Sequence, residues 1–417
     1  LPRISGIMNT IGPGLVSHVE KKHVLRLPAS SRTNRHQSFV ANSIKDVHYI
    51  NWNDFLLPHD YGNAETEYFA IRNSCAIFDV SPIRKIHVGG VGAGKFFDRL
   101  LTRPVSSLPP MRAAYTVFCD VNGNLKDDAI LYRYAEDDYL LMPSDIDHTP
   151  YFESLCHQLD LHHVTFTECT DSWAGIAIQG PRSASVLRNM GFDGIEQIAP
   201  FAVCDYELSG RTIRISRMGF TADLGYELWI DPAKALDLWD ALFEAGKDYK
   251  IQAIGTHALE LARIEAGYLA PYTEFLPCDE TVRTGRSRSP LELGLGWLVD
   301  FKKPNFNGRR ALAEEKRNGS TWQLVKLDIE GNKPAHASYI FPTNKGKGSI
   351  GFVTSAAWSP VCKQNIALGT VRVPHGKPGD TVWVEIYYQR EMHWNREMAK
   401  ATVVDKPFWF PPRRGAT

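Results

Sequence analysis

Apolar and polar positions take on a clear period near Ala64. Glu65, Ala70 and Ile71 precede Ala76-Ile77-Phe78, and the polar residues between them predict a helix that hands over to a short strand. Lys85-Ile86-His87-Val88 reads as a strand, and residues 93–101 as a helix with Phe96, Phe97, Leu100 and Leu101 on one side. The clearest hairpin signal lies in 113–132. There, Tyr115-Thr116-Val117-Phe118 and Ala129-Ile130-Leu131-Tyr132 flank Asn122-Gly123, a pair suited to the positive backbone angles of a tight turn. The connection exceeds two residues, so a bulge or a wider turn is expected. Tyr139-Leu140-Leu141-Met142 gives a third strand and residues 148–159 a helix. Ala174-Gly175-Ile176-Ala177-Ile178 is a further strand, followed by Gly180-Pro181 and a helix over 183–187, with proline well placed near its start.

Strands are also predicted over 203–208, 212–216 and 226–230, then a helix over 233–245. This succession predicts an α+β fold with mixed sheets rather than a regular barrel of alternating units. From Trp322 onward the texture changes to apolar strands separated by Gly, Pro and Asn turns, around 325–329, 351–353, 366–368 and 382–386, which marks a separate all-β module. Residues 1–49 mix His, Lys, Arg, Ser and Pro with few periodic apolar positions and read as an extended arm or irregular lead-in.

A chain of 417 residues exceeds what one hydrophobic core sustains, so two or three domains are expected. With 47 basic and 47 acidic residues the formal net charge is zero, which removes the long-range pull on a polyanion and argues against a nucleic-acid partner. Residues 1–11 lack the apolar run of a signal peptide, and no stretch reaches the roughly 18 apolar residues that span a bilayer. The expectation is a cytoplasmic protein with no membrane partner, either monomer or homodimer. The seven cysteines are scattered without a CxxC pair, which speaks for buried thiols over zinc ligands or disulfides, and no metal site is expected.

Gly89-Gly90-Val91-Gly92-Ala93-Gly94-Lys95-Phe96 nearly forms a phosphate loop. Phe96 stands where a magnesium-binding hydroxyl belongs, and the glycine spacing is wrong for a dinucleotide fingerprint. A strand-to-helix turn that needs glycine explains it better.

Asp127-Asp128 opens the return strand of the hairpin. Neighbours in a strand point to opposite faces, so one carboxylate is expected to meet solvent or a backbone group and the other to enter the interior. A buried carboxylate without a partner is costly and marks a ligand, an ion pair or a catalytic task. Glu227, inside the apolar run Gly225-Tyr226-Glu227-Leu228-Trp229, poses the same question.

Several motifs occur in register: Phe78-Asp79-Val80-Ser81, Asn122-Gly123 with Asp127-Asp128, Ile178-Gln179-Gly180-Pro181, Gly219-Phe220-Thr221 with Gly225-Tyr226-Glu227, and Arg263-Ile264-Glu265-Ala266-Gly267. Further on come Gly294-Leu295-Gly296-Trp297, Phe306-Asn307-Gly308-Arg309, and Thr354-Ser355 with Ser359-Pro360. In order and spacing the chain resembles the glycine cleavage T protein family over residues 63–411. The resemblance implies a three-domain ring ending in a β-barrel or jelly-roll-like module, with tetrahydrofolate in the central opening. The domains expected are 1–86 with 187–292, then 87–186, then 293–417. By motif matching, the resemblance puts Asp128 at the reactive folate nitrogens, Glu227 on the pterin, and Tyr115, Tyr132, Ser144, Phe220 and Trp297 at positions that line or support the folate site.

Physically, a carboxylate at 227 can accept two parallel hydrogen bonds from a pterin edge, and aromatic residues offer flat area to its rings. Asp128 can hold a proton near the acceptor nitrogen or stabilise developing positive charge. Asp79 reads either as a site residue or as a backbone cap. Arg217 and Arg263 read either as contacts to a ligand carboxylate or as partners of acids such as Glu265 or Asp223.

The pattern also departs from the family. Pro82 stands where the family has His, Leu259 replaces an expected arginine before Glu260, and the stretch 277–290 with Arg283, Arg286 and Arg288 is longer. Loss of a fixed cation changes which anionic group is recognised. These departures favour a relative that moves a methyl group from a small O-, N- or S-methylated metabolite to tetrahydrofolate, with His257 or a tyrosine as proton donor to an ether leaving group. Aminomethyl transfer and folate binding without turnover are the alternatives.

Overall fold

The computed structural model describes residues 49–415; the arm read over 1–49 lies outside them except for Tyr49. Two antiparallel-rich sheets and a closed barrel carry the chain. The six-stranded sheet has the order Val203–Leu208, Arg211–Ser216, Gly225–Ile230, Ala174–Gln179, Ala76–Asp79 and Gln252–Ala253. Its neighbours are antiparallel except for the last pair. The five-stranded antiparallel sheet runs Arg112–Cys119, Leu125–Ala135, Asp138–Pro143, Ile86–Gly89 and Thr165–Glu168. Six strands from Trp322–Ile329 to His393–Val404 close the barrel. This is the expected α+β fold with a C-terminal β-barrel.

Period-two patterning puts the two sheets face to face. On Gly225–Ile230, Tyr226, Leu228 and Ile230 join a core with Trp239 and Leu242 of the helix Ala235–Gly246, whereas Trp229 points the other way. On Leu125–Ala135, Ala129 and Leu131 pack against Phe96, Phe97 and Phe152 of the helices Ala93–Leu100 and Thr149–Gln158, whereas Ile130 and Tyr132 point to the other side. Trp229, Tyr132 and Ile130 share one apolar layer with Tyr68 and Ile71 of the helix Ala64–Asn73 and Leu261 and Ala262 of the helix Thr256–Ala266. That shared layer lies between the sheets and decides where the acids point.

The hairpin connection is bulged between Phe118 and Cys119, with Gly123 at φ +80°, as a loop longer than two residues requires. The glycine-rich turn after Ile86–Gly89 leads into the helix Ala93–Leu100. Its helix-start amides at Gly92 and Gly94 donate to the Asp137 carboxylate at 3.3 and 3.0 Å, so the chain supplies its own anion there.

Candidate functional site

Asp128 and Glu227 each occupy the inner-layer phase of their strands: Asp128 precedes Ile130 and Tyr132 by two and four residues, and Glu227 precedes Trp229 by two. Both are half-buried. Tyr132 links them. It sits four residues, about 13 Å of extended chain, beyond Asp128. Its hydroxyl donates to Glu227 Oε2 at 3.4 Å and lies 3.2 Å from Ser216 Oγ and from Met218 Sδ. The other Glu227 oxygen is left as an acceptor without a protein partner among the described residues. Burial pushes the Glu227 carboxyl up to about 7, against the pull of the Tyr132 hydroxyl and of the Lys85 charge.

Asp128 Oδ2 accepts the Tyr115 hydroxyl at 2.6 Å. Tyr115 lies directly opposite Ile130 in the ladder, which makes Asp128 its diagonal neighbour. Burial, and then the charge of Asp127, push the Asp128 carboxyl up to about 7. The Tyr115 ring in turn lies 6.3 Å from the Trp297 ring, which is 69% exposed on the turn Gly296–Leu298. Phe220, 39% exposed, sits two residues beyond Met218 and meets the Tyr268 ring at 5.5 Å.

The loop that carries Met218 and Phe220 is held by Gln179. Its amide nitrogen donates to Met218 O at 3.2 Å and its oxygen accepts from Thr221 Oγ1 at 2.7 Å. A Cβ at Gly219 or Gly225 would come within 2.1 or 2.2 Å of the Gln179 amide, so only glycine allows this approach. The motif Gly219-Phe220-Thr221 to Glu227 thus has a steric cause.

Other expected residues fall elsewhere. Ser144 reaches Asp127 rather than Asp128: its N–H and Oγ donate to Asp127 Oδ2 at 3.1 and 2.6 Å. Asp79 Oδ1 accepts the Ser81 N–H at 2.9 Å, the backbone-cap geometry. Arg217 donates to the Ile198 and Arg414 carbonyls at 2.8 and 3.4 Å. Arg263 is buried and paired with Glu274 at 2.7 Å and with Glu260. His257 is exposed; its ring lies 5.2 Å from that of His59 and its backbone N–H donates to His59 O, with no contact to Tyr115, Tyr132 or either inner acid. Arg288 covers the Trp322 ring at 4.5 Å, while Arg283 and Arg286 are exposed.

Sequence reasoning passed over Lys85 and His148. Lys85 is buried, donates to the Ser81 and Ile83 carbonyls at 3.0 and 2.6 Å, and covers the Trp229 ring at 4.7 Å; burial lowers its ammonium to about 7. Nothing in its local pattern separates it from a surface strand-end lysine. His148 binds Asp127 across 21 residues, a pairing visible only once the strand and helix are packed.

Comparison with known proteins agrees with this architecture. Residues 36–303 match the family model described as the GCVT N-terminal domain, and residues 323–409 match the glycine cleavage T-protein C-terminal barrel domain. An aminomethyltransferase of Caldanaerobacter subterraneus subsp. tengcongensis is 30% identical over 91% of this chain and 96% of its own length. One from Bacillus subtilis is 32% identical over 86% of this chain and 94% of its own. The crystal structure of the glycine cleavage system aminomethyltransferase T from Bartonella henselae superposes with a TM-score of 0.75 at 23% identity, covering 87% of this chain and 94% of that one, a likeness of fold. With both family models in register and relatives matched nearly end to end, the chain belongs to the glycine cleavage T-protein family and is a one-carbon transferase.

Proposed function

We propose that this protein passes a one-carbon unit from a small donor to tetrahydrofolate, with Glu227 holding the pterin edge and Asp128 beside the reactive nitrogens. The observation that carries this reading is the arrangement of two half-buried acids on the inner phase of strands from two sheets, with Tyr132 of the Asp128 strand reaching Glu227 and one Glu227 oxygen free to accept. The residues present fit a folate: an acceptor for paired N–H donors, and exposed Phe220 and Trp297 rings for the flat heterocycle and its aminobenzoyl extension. When bound, tetrahydrofolate supplies two nucleophilic nitrogens that accept the carbon. Glu227 orients it, Tyr132 holds Glu227, and Asp128 retains or releases a proton at its carboxylate while Tyr115 fixes that carboxylate's angle.

The names of the relatives favour aminomethyl transfer, in which carbon leaves a sulfur carrier and ammonia is released. This reverses the order expected from the sequence, where methyl transfer came first. The methyl reading keeps a specific basis. Leu259 and Pro82 replace side chains the family pattern leads one to expect.

The two readings separate by product. Incubation with tetrahydrofolate and an aminomethyl-lipoyl carrier is expected to give 5,10-methylenetetrahydrofolate by mass. Formation of 5-methyltetrahydrofolate from methylated amines, sulfonium compounds or methoxyaromatics would select the second reading. Neither product from folate-loaded protein would contradict both.

A further inference from the structure

The segment that follows the strand His393–Val404 leaves the barrel and returns to the loop that carries Phe220. There Arg413 Nε and Nη2 donate to the two Asp223 oxygens at 2.7 and 2.8 Å, and Nη2 also reaches the Arg72 carbonyl at 3.1 Å. We propose that Arg413 is a positioning residue for the folate site: its fork on Asp223 holds the 217–223 loop in the conformation that presents Phe220 to the ligand. The inference rests on the assignment of Phe220 to the folate rings.

The loop joins the strands Arg211–Ser216 and Gly225–Ile230, and it needs holding. Ala222, 2% exposed, sits at φ +56°, a left-handed angle that is unfavourable for a residue with a Cβ and that a released loop would abandon. Its neighbours on both sides are pinned. Arg72 Nη1 donates to Thr221 O at 2.7 Å, and Thr221 Oγ1 donates to Gln179. Asp223, its side chain fully buried, accepts Arg413 and, at 3.4 Å, the Trp409 indole N–H.

The same segment is fastened at further points that bring Arg413 to this place. Trp409 N–H donates to Glu265 O at 3.0 Å, and its ring lies 5.3 and 5.8 Å from the Arg72 and Arg413 guanidinium groups. The Arg414 carbonyl accepts Arg217 Nη2 at 3.4 Å, so the segment meets the loop at its start as well as at Asp223. Arg414 itself covers the Tyr268 ring at 5.4 Å, and that ring meets Phe220. A guanidinium can serve both Asp223 oxygens and a carbonyl at once, which the single nitrogen of a lysine cannot match in one plane. Asp223 also lies 3.6 Å from the Arg72 guanidinium, so loss of Arg413 leaves the buried carboxylate paired and loosens the loop rather than the core.

Titration calorimetry with tetrahydrofolate, steady-state kinetics with the donor that gives product in the assay above, and thermal melting of the full chain test this. Arg413→Gln should weaken folate binding and raise the folate KM by roughly tenfold or more, with kcat at saturating folate within about threefold of wild type. Adding Ala222→Gly, which accepts the left-handed angle without a Cβ penalty, should restore most of that affinity. A merely structural role would lower the melting midpoint and give a loss that glycine at 222 does not repair. Folate affinity within about twofold of wild type in Arg413→Gln, or an unrepaired loss in the double variant, would overturn the inference. If Arg413→Gln does not fold, Arg413→Lys decides by the same comparison, with a smaller loss expected. Phe220→Ala separates the two claims. Unchanged folate affinity in that variant sinks the reading of Phe220 and this inference with it, whereas weakened binding there beside wild-type affinity in Arg413→Gln removes only the role given to Arg413.

Discussion

Two carboxyls pushed up to about 7 have different partners, and the proposed roles follow from that difference. Glu227 meets one weak donor, the Tyr132 hydroxyl at 3.4 Å, and keeps an oxygen for a ligand; Asp128 is engaged by Tyr115 at 2.6 Å and sits beside a second acid. Asp128→Asn keeps the size and removes the titration. Turnover should fall by roughly 100-fold or more, within the range for loss of a general acid or base, while folate affinity measured by calorimetry changes less than about tenfold. Equal loss in both would contradict the chemical role. The Asp127-Asp128 pair is legible in sequence, because period two dictates that the two face apart. Which one faces inward is not, since that depends on Ile130 and Tyr132 meeting the second sheet. The contacts of Ser144 and His148 with Asp127 depend on the same tertiary packing.

Between elements, buried charge fastens the helix Thr256–Ala266 to its surroundings. Glu265 accepts from Tyr68 at 2.5 Å, from Arg72 at 2.5 Å and from Ser359 of the barrel at 2.5 Å, and Arg263 reaches Ser355 of the barrel at 2.7 Å. The resemblance motifs Arg263 to Gly267 and Thr354-Ser355 with Ser359 are thus two halves of one contact. Replacing Glu265 by Ala leaves the Arg72 guanidinium buried beside Asp223 with one partner fewer, and should cost about 3 kcal/mol in chemical denaturation. A loss below about 1 kcal/mol would mean that the network contributes little to holding the barrel. Long periodic elements were readable: the hairpin, the helix Ala93–Leu100 and the strand Ala174–Gln179 fall where the apolar pattern places them. The strands Tyr339–Phe341 and His393–Val404 were not. The first has three residues, and the second exposes His393, Trp394 and Arg396 before its apolar alternation begins at Ala399.

Over the whole molecule, the inner acids place a cost on the ligand-free fold. Their folded values near 7 lie above the ordinary 3.8 and 4.5, so the native chain holds protons that the unfolded chain has released. Their contribution to stability is therefore fullest below about pH 4 and declines as pH rises toward about 7. Glu227→Gln removes one such charge. At about pH 8 its melting midpoint should exceed that of wild type by roughly 2 °C or more, and at about pH 5 the gap should narrow. A gap independent of pH would point to packing instead. Neutral overall charge, more than one core and a separate all-β module were legible from composition and pattern, and a barrel was one of two forms the family resemblance implied for that module, whereas the facing of the two sheets was not legible, because it is set by contacts between residues far apart in the chain.

The account turns on folate being gripped by the carboxylate at 227, and titration calorimetry with tetrahydrofolate on wild type and Glu227→Ala measures that grip. Loss of charge-assisted hydrogen bonds worth roughly 2 kcal/mol or more should weaken binding by at least about 30-fold in the variant. Equal affinities, or no heat of binding to the wild-type protein, would contradict the account.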